Sequence, residues 1–86
     1  MEDVLRIARA LESLIREMIE KPELFSFEVY PELDGRILLR ATVAPSDVGR
    51  LIGMQGRTAR SLRIIVSAMS SKIGQKLNLD IVSKET

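Results

Sequence analysis

The chain of 86 residues has no cysteine, no histidine and no tryptophan, and only 3% of its residues are aromatic. Without cysteine, disulfides and thiol chemistry are excluded, and without histidine the commonest zinc ligand and general base are missing. We therefore predict no metal site, no cofactor and no catalytic residues, so an enzyme is not expected. Because apolar residues make up 45% of the chain, its core must be aliphatic.

Long apolar runs are absent as well. The first residues include Glu2, Asp3, Arg6 and Arg9, and no stretch is long enough for a signal peptide or a membrane span. A chain of this length is sufficient for one small domain and not for two. We expect a soluble, cytoplasmic protein in which residues 1–86 form a single domain.

Acidic and basic residues are unevenly distributed along the chain. Residues 1–34 hold nine acids and four bases, for a net charge of −5, whereas residues 35–86 hold three acids and nine bases, for +6. No acid occurs between Gly49 and Ile73. The second half of the chain is therefore expected to attract polyanions.

Apolar periodicity predicts the first three elements. Apolar residues from Val4 to Met18 recur at helical spacing, so a helix is expected to begin at Asp3 and to stop at Lys21-Pro22. Alternating residues then predict one strand over residues 25–30 and a second over residues 37–43. Their short connection favours an antiparallel hairpin.

The second half of the chain has a different pattern. Ser46 is the expected N-cap of a short helix over residues 47–52, and a longer helix is predicted from Arg57 to Ile73, with Gly74 at its C-terminus. A last strand is predicted over residues 77–81. The predicted fold is α+β in the order αββααβ, with helices packed on one face of a three-stranded sheet. It divides into an N-terminal helix and strand (residues 1–31) and a βααβ unit (residues 37–83).

The tetrapeptide Gly53-Met54-Gln55-Gly56, here called the GxxG loop, joins the two predicted helices of the basic half. Glycine permits unusual backbone angles and lets another backbone approach closely. Amides at a helix start bind phosphate, and arginines surround the loop at positions Arg50, Arg57, Arg60 and Arg63. This combination predicts a site for a sugar-phosphate backbone.

Residues 43–63, with the sequence VAPSDVGRLIGMQGRTARSLR, resemble the KH domain of the small bacterial KhpA-type RNA-binding proteins. The order αββααβ is similar to the type II KH arrangement, and the resemblance covers essentially the whole chain. It implies an RNA chaperone or post-transcriptional regulator that binds single-stranded RNA, with the GxxG loop clamping the backbone. By the same resemblance, Ile52 lines the groove for the bases and Arg57 starts the helix that faces the phosphates. The family usually has lysine where this chain has Met54, so a mobile phosphate contact is missing while the backbone amides remain. Because only Phe25, Phe27 and Tyr30 could stack on bases, we expect modest affinity and weak sequence preference.

Two other functions fit parts of the sequence. Residues 48–63 also read as a helix-turn-helix, which would bind duplex DNA. A scaffold that acts only through protein contacts is the other alternative, with Met54 as the sign of a degenerate loop. Ile64 and Ala68 are expected on the exposed side of the long helix, which makes them candidates for a protein interface. The resemblance implies a homodimer or a pairing with a larger KH-containing protein.

Overall fold

The computed structural model describes residues 1–85 and, at Met54, the backbone alone. Over these residues the chain forms three α-helices, three strands and two short 3-10 turns. Their bounds are α1 Glu2–Arg16, a turn at Pro22–Leu24, β1 Ser26–Pro31, β2 Ile37–Val43, α2 Pro45–Ile52, a turn at Met54–Gly56, α3 Arg57–Ile73 and β3 Leu77–Ser83. The predicted α+β class and the order αββααβ are confirmed.

The three strands form one mixed sheet in the order β1-β2-β3. β1 and β2 are antiparallel, with Phe27 opposite Ala41, which confirms the predicted hairpin. β2 and β3 are parallel, with Leu39 opposite Leu79. Among the described strands β3 has only β2 as a neighbour. At its other edge, Leu79 O accepts a hydrogen bond from Arg63 of α3.

The core lies between the sheet and the helices. Alternate residues of β2 are buried while those between them are half-buried, so the helices cover one face of the sheet. The fully buried side chains of this core come from β2 and from all three helices: Leu11, Ile15, Leu39, Val43, Leu51 and Val66. The core is aliphatic, as the composition predicts, apart from the buried ring of Phe25.

The first helix is shorter than predicted. It begins at Glu2, with Met1 as its N-cap, and ends at Arg16 rather than at Lys21. The last turn tightens, with Met18 N–H donating to Ile15 O, and farther on the backbone N–H groups of Glu20 and Lys21 donate to the carboxylate of Asp47, 3.0 Å away in each case. Amides that would extend the helix are thereby bound to a residue of α2.

Two other boundaries differ from the predictions. α2 begins at Pro45 with Ala44 as its N-cap, so the prediction of Ser46 as the N-cap was wrong. Proline suits the first helical position because its fixed φ is already helical and its missing N–H is not needed there. β1 begins one residue late, at Ser26, because Phe25 closes the preceding turn by donating to Pro22 O. β3 extends to Ser83, where it pairs with Val43.

Candidate nucleic-acid interface

The GxxG loop has an unusual backbone. Gly53, Gln55 and Gly56 all have positive φ, and Gln55 adopts the left-handed conformation at φ 59° and ψ 31°. A residue with a side chain in this conformation is uncommon and costs about 1–2 kcal/mol. Such outliers concentrate at functional sites, where the surrounding structure holds them in place.

The two glycines of the loop serve different purposes. Gly53 has φ 67° and ψ −171°, a region that is essentially restricted to glycine, and a Cβ there would lie 2.5 Å from Thr58 Oγ1. Gly56 has φ 75° and ψ 14°, and a Cβ there would meet nothing within 4 Å. Gly53 is therefore required by the turn itself, while Gly56 borders open space in which a ligand can lie.

The amides of the two loop glycines differ from those at the start of α3 in their hydrogen bonding. Gly53 N–H donates to Gly49 O at 2.8 Å, and Gly56 N–H donates to Gly53 O at 3.3 Å. These two amides serve the turn. The amides in the first turn of α3 have no acceptor within their own helix, as at every helix start, and they carry the positive end of the helix dipole.

Arg57 strengthens the positive potential at this helix start. The first turn of α3 holds no acidic residue and begins with the exposed side chain of Arg57. Acids stabilise a helix N-terminus and bases do the opposite, by about 0.3–1 kcal/mol. The arrangement opposes helix stability and favours an anion.

A groove of ≈ 580 Å³, here called the first groove, runs between α3 and β3 beside the loop. Its lining combines apolar and basic side chains: Ile52, Gly56, Ala59, Arg60, Arg63, Ile64, Ser67 and Ile81. Among these described residues none is acidic, so the groove suits an anionic chain with apolar bases. It brings together the predicted residues Ile52, Gly56 and Arg60.

The other predicted residues lie at or near this groove. Gln55 is exposed in the loop, and Arg57 is exposed at the start of α3. The side chain of Met54 lies outside the described part of the chain. Ile64 was predicted for a protein interface and is 63% exposed, but it also borders the first groove. Ala68 is exposed on α3 and is not part of that lining.

The guanidinium of Arg50 forms ion pairs with two acids, Glu20 and Asp47. Its Nη2 donates to Glu20 Oε1 at 2.6 Å, and its Nε lies 3.5 Å from Asp47 Oδ1. The side chain is still 47% exposed. A phosphate near Arg50 would have to compete with Glu20, which the sequence does not indicate because 30 residues separate the pair.

The sequence analysis missed the role of Asp47. Its side chain is buried and accepts the backbone N–H groups of Glu20 and Lys21, which ties the exit of α1 to the start of α2. The hydrogen bond from Glu20 N–H is the main reason that the pKa of this carboxyl is lowered, and the Lys21 N–H and the Arg50 charge act in the same direction. One signal was present: Asp47 is the only acid between Gly35 and Leu79.

Other residues of the first groove were also missed or misread. Ala59 is buried on the inner side of α3, yet it also borders the groove. Ile81 reaches the groove from β3, the edge strand of the sheet. Their spacing predicts that they face inward, but it does not show where the layer between helix and sheet opens to solvent.

Metal binding and membrane insertion find no support in the described residues. Within residues 1–85 no group of three or more acids is placed to hold a metal ion. No helix in this range is both long and apolar enough to cross a bilayer.

Comparison with known proteins places these features in a family context. Residues 8–81 match the family described as "KhpA/KhpB, KH domain". The chain is 34% identical over 71 residues to the RNA-binding protein KhpA of Listeria monocytogenes, which covers 81% of this chain and 91% of that protein. It is 40% identical over 53 residues to the RNA-binding protein KhpA of Aquifex aeolicus, which covers 59% of this chain and 67% of that protein. It is 31% identical over 72 residues to the RNA-binding protein KhpA of Oceanobacillus iheyensis, covering 84% and 95%.

Proposed function

Because the chain belongs to the KhpA/KhpB family of KH domains, its function is RNA binding, and we propose that it holds single-stranded RNA through the GxxG loop and the first groove. The loop clamps the sugar-phosphate backbone beside Gly56. The bases lie in the groove against Ile52 and the other apolar side chains that line it. The protein acts as a binding module and not as an enzyme.

The open space at Gly56, next to the start of α3, is the observation that carries this proposal. A ligand can approach the backbone there because no side chain occupies the space. The adjoining helix start, which has no side-chain cap, presents the positive end of its dipole and Arg57, a combination that attracts phosphate. Gln55 and Met54 form the tip of the loop, where their backbone follows the turn that Gly53 begins.

The arginines have graded roles in this proposal. Arg57 and Arg60 are exposed beside the loop and the groove and supply direct phosphate contacts. Arg50 contributes less, because a phosphate must first displace Glu20 from it. Aromatic stacking has little part in binding, because the chain has only two phenylalanines and one tyrosine. We therefore expect strong salt dependence and weak sequence preference.

Replacing Gly56 by aspartate tests the loop without disturbing the fold. Aspartate tolerates left-handed backbone angles better than most residues, and the site has space for it. Its charge would lie where the proposal puts a phosphate, so affinity for oligouridine is expected to fall at least about tenfold. Fluorescence anisotropy with a labelled oligomer measures the change, and circular dichroism verifies the fold.

Gly35→Asp is the matched control. Gly35 also has positive φ (88°) and open space around its Cβ position, but it lies in the β1–β2 turn. Its variant should bind oligouridine like the parent. Equal affinity for the folded Gly56→Asp variant and the parent would refute the role of the loop, and a preference of the parent for duplex DNA would favour the helix-turn-helix alternative.

The remaining parts of the proposal concern setting and partners. We propose that residues 1–86 act as one KH domain in the cytoplasm, as an RNA chaperone or post-transcriptional regulator. We also propose that the protein forms a homodimer or pairs with a larger KH-containing RNA-binding protein. The exposed side of α3 at Ile64 and Ala68 is the surface for that contact.

A further inference from the structure

A second groove of ≈ 270 Å³ continues the first one along α3 and β3. Arg63 and Ser67 line both grooves, so the two spaces meet at these side chains. From there the second groove runs towards Ser70 on α3 and towards Lys76 and Leu77, where β3 begins. Nothing in the function proposed above uses this second space.

The chemistry of the second groove suits the same kind of ligand. Lys76 is exposed at its far end, and Arg63 stands at its junction with the first groove. Ser67 and Ser70 also line this groove. The Ser70 hydroxyl already donates to Gln75 O and accepts from Leu77 N–H, so the Ser67 hydroxyl is the one offered to a ligand, and none of the described lining residues is acidic. Two cations and a hydroxyl along one groove favour a phosphodiester chain over a neutral ligand.

Arg63 sets the boundary between the two grooves. Its Nε donates to Leu79 O at the outer edge of β3, at 3.2 Å, and so spans the gap between helix and strand. The residue is exposed, so its guanidinium can meet a phosphate while Nε keeps the bond to Leu79 O.

A peptide strand added to the edge of β3 is the competing occupant. Such an addition requires a run of free peptide groups along the edge. Here Leu77 N–H already donates to Ser70 Oγ and Leu79 O already accepts from Arg63, so two successive outward positions are engaged from α3. Basic side chains also give no specificity for a peptide backbone, and RNA is therefore the better fit.

We propose that bound RNA continues past Arg63 into the second groove, where Lys76 holds a further phosphate. This inference rests on the function proposed above. Between Gly56 and Ser70, α3 rises about 21 Å at 1.5 Å per residue. A stacked strand with a rise of 3.4 Å per nucleotide fits about six nucleotides along that length. The site is thus longer than the four nucleotides that a KH loop clamps.

Amide chemical shifts of the isotope-labelled full chain test the path of the RNA. Titration with tetrauridine should shift amides of the loop and the first groove. Titration with heptauridine should shift these and, in addition, the amides of Ser70 and of Leu77 and Asn78 at the start of β3. If heptauridine shifts only the amides that tetrauridine shifts, the second groove holds no RNA and the inference is wrong.

Lys76→Gln and its control Lys72→Gln measure the contact itself. Lys72 carries the same charge on the last turn of α3 but lines a separate groove between α1 and α3, beside Ile7 and Met69. For each variant, the affinity for heptauridine is divided by the affinity for tetrauridine. This ratio should be roughly two- to fivefold lower for Lys76→Gln than for Lys72→Gln. The salt slope for heptauridine should also be about 0.7 shallower in Lys76→Gln. The larger number of registers on a longer strand affects both variants equally.

The outcomes separate this inference from the proposed function. If neither oligomer binds the parent, the proposed loop function itself fails. If tetrauridine binds and Lys76→Gln matches Lys72→Gln with both oligomers, only the second groove is refuted. If a peptide strand shifts the β3 amides while heptauridine does not, the groove is a protein-docking edge and the inference is overturned.

Discussion

The two loop glycines should differ sharply in their tolerance of alanine. Gly53→Ala forces a side chain into a backbone region nearly restricted to glycine, which costs about 1–3 kcal/mol. The new Cβ would also lie 2.5 Å from Thr58 Oγ1, 3.1 Å from Thr58 Cβ and 3.3 Å from Thr58 N. Rotation of Thr58 relieves the first contact only, so overpacking adds about 1–3 kcal/mol.

Gly56→Ala lacks the second of these penalties. Its left-handed backbone costs a side-chained residue about 1–2 kcal/mol, and its Cβ would meet nothing within 4 Å. Both substitutions recover about 0.4–1 kcal/mol by restricting the unfolded chain. The expected net losses in the free energy of unfolding are about 3 kcal/mol for Gly53→Ala and about 1 kcal/mol or less for Gly56→Ala.

Urea denaturation followed by circular dichroism measures this difference directly. A gap of about 2 kcal/mol corresponds to a difference of roughly 8–16 °C in Tm for a domain of this size. Adding Thr58→Ala to Gly53→Ala should restore part of the loss, since the hydroxyl is removed while the Thr58 Cβ position stays occupied, and a double-mutant cycle gives the coupling. Equal stability of the two single variants, or a coupling of zero, would refute the distinction between the glycines.

Three further predictions concern Arg50, Asp47 and Ala68. Glu20→Gln releases Arg50, so the salt slope of RNA binding should steepen by about 0.7. The control Glu17→Gln removes the same charge and should leave the slope unchanged. Equal slopes for the two variants would contradict a phosphate contact by Arg50. Because the pKa of Asp47 is lowered in the fold, its carboxylate stabilises the protein above the ordinary value of 3.8, and this stabilisation is lost as pH falls through the lower folded value. Asp47→Asn should be less stable than the parent at pH 7 and should change less with pH below about 4.5, which urea titrations at several pH values would reveal. Ala68→Glu should convert a dimer to a monomer in light scattering and leave tetrauridine binding intact, and an unchanged mass would exclude this face as the interface.

Local sequence signals account for most of the fold. The spacing of Ala59, Leu62 and Val66 places the buried side of α3. Gly74 ends this helix as predicted, and it does so in the left-handed conformation. The alternation within residues 37–43 predicts both ends of β2 correctly. These signals work because each depends on neighbours within a few positions.

The errors come from contacts between distant parts of the chain. Beyond the end of α1, Asp47 takes the amides of Glu20 and Lys21, which lie 27 and 26 residues away from it, so the helix does not reach Lys21. Arg50 is restrained by Glu20 for the same kind of reason. A count of charges along the sequence correctly indicates a basic half, but it does not reveal which bases are neutralised by acids of the other half.

The energetics of the loop explain why its features belong together. Gln55 in the left-handed region and Arg57 at a helix start each oppose stability, and Gly53 holds a turn that no other residue adopts without strain. Asp47 offsets part of this by tying the start of α2, the helix that leads into the loop, to the exit of α1 with two hydrogen bonds. An anion at the start of α3 would relieve the repulsion at Arg57 and pair with the free amides there. A phosphate therefore supplies the interactions that the loop lacks in the free protein, which is the arrangement expected of a preformed backbone clamp.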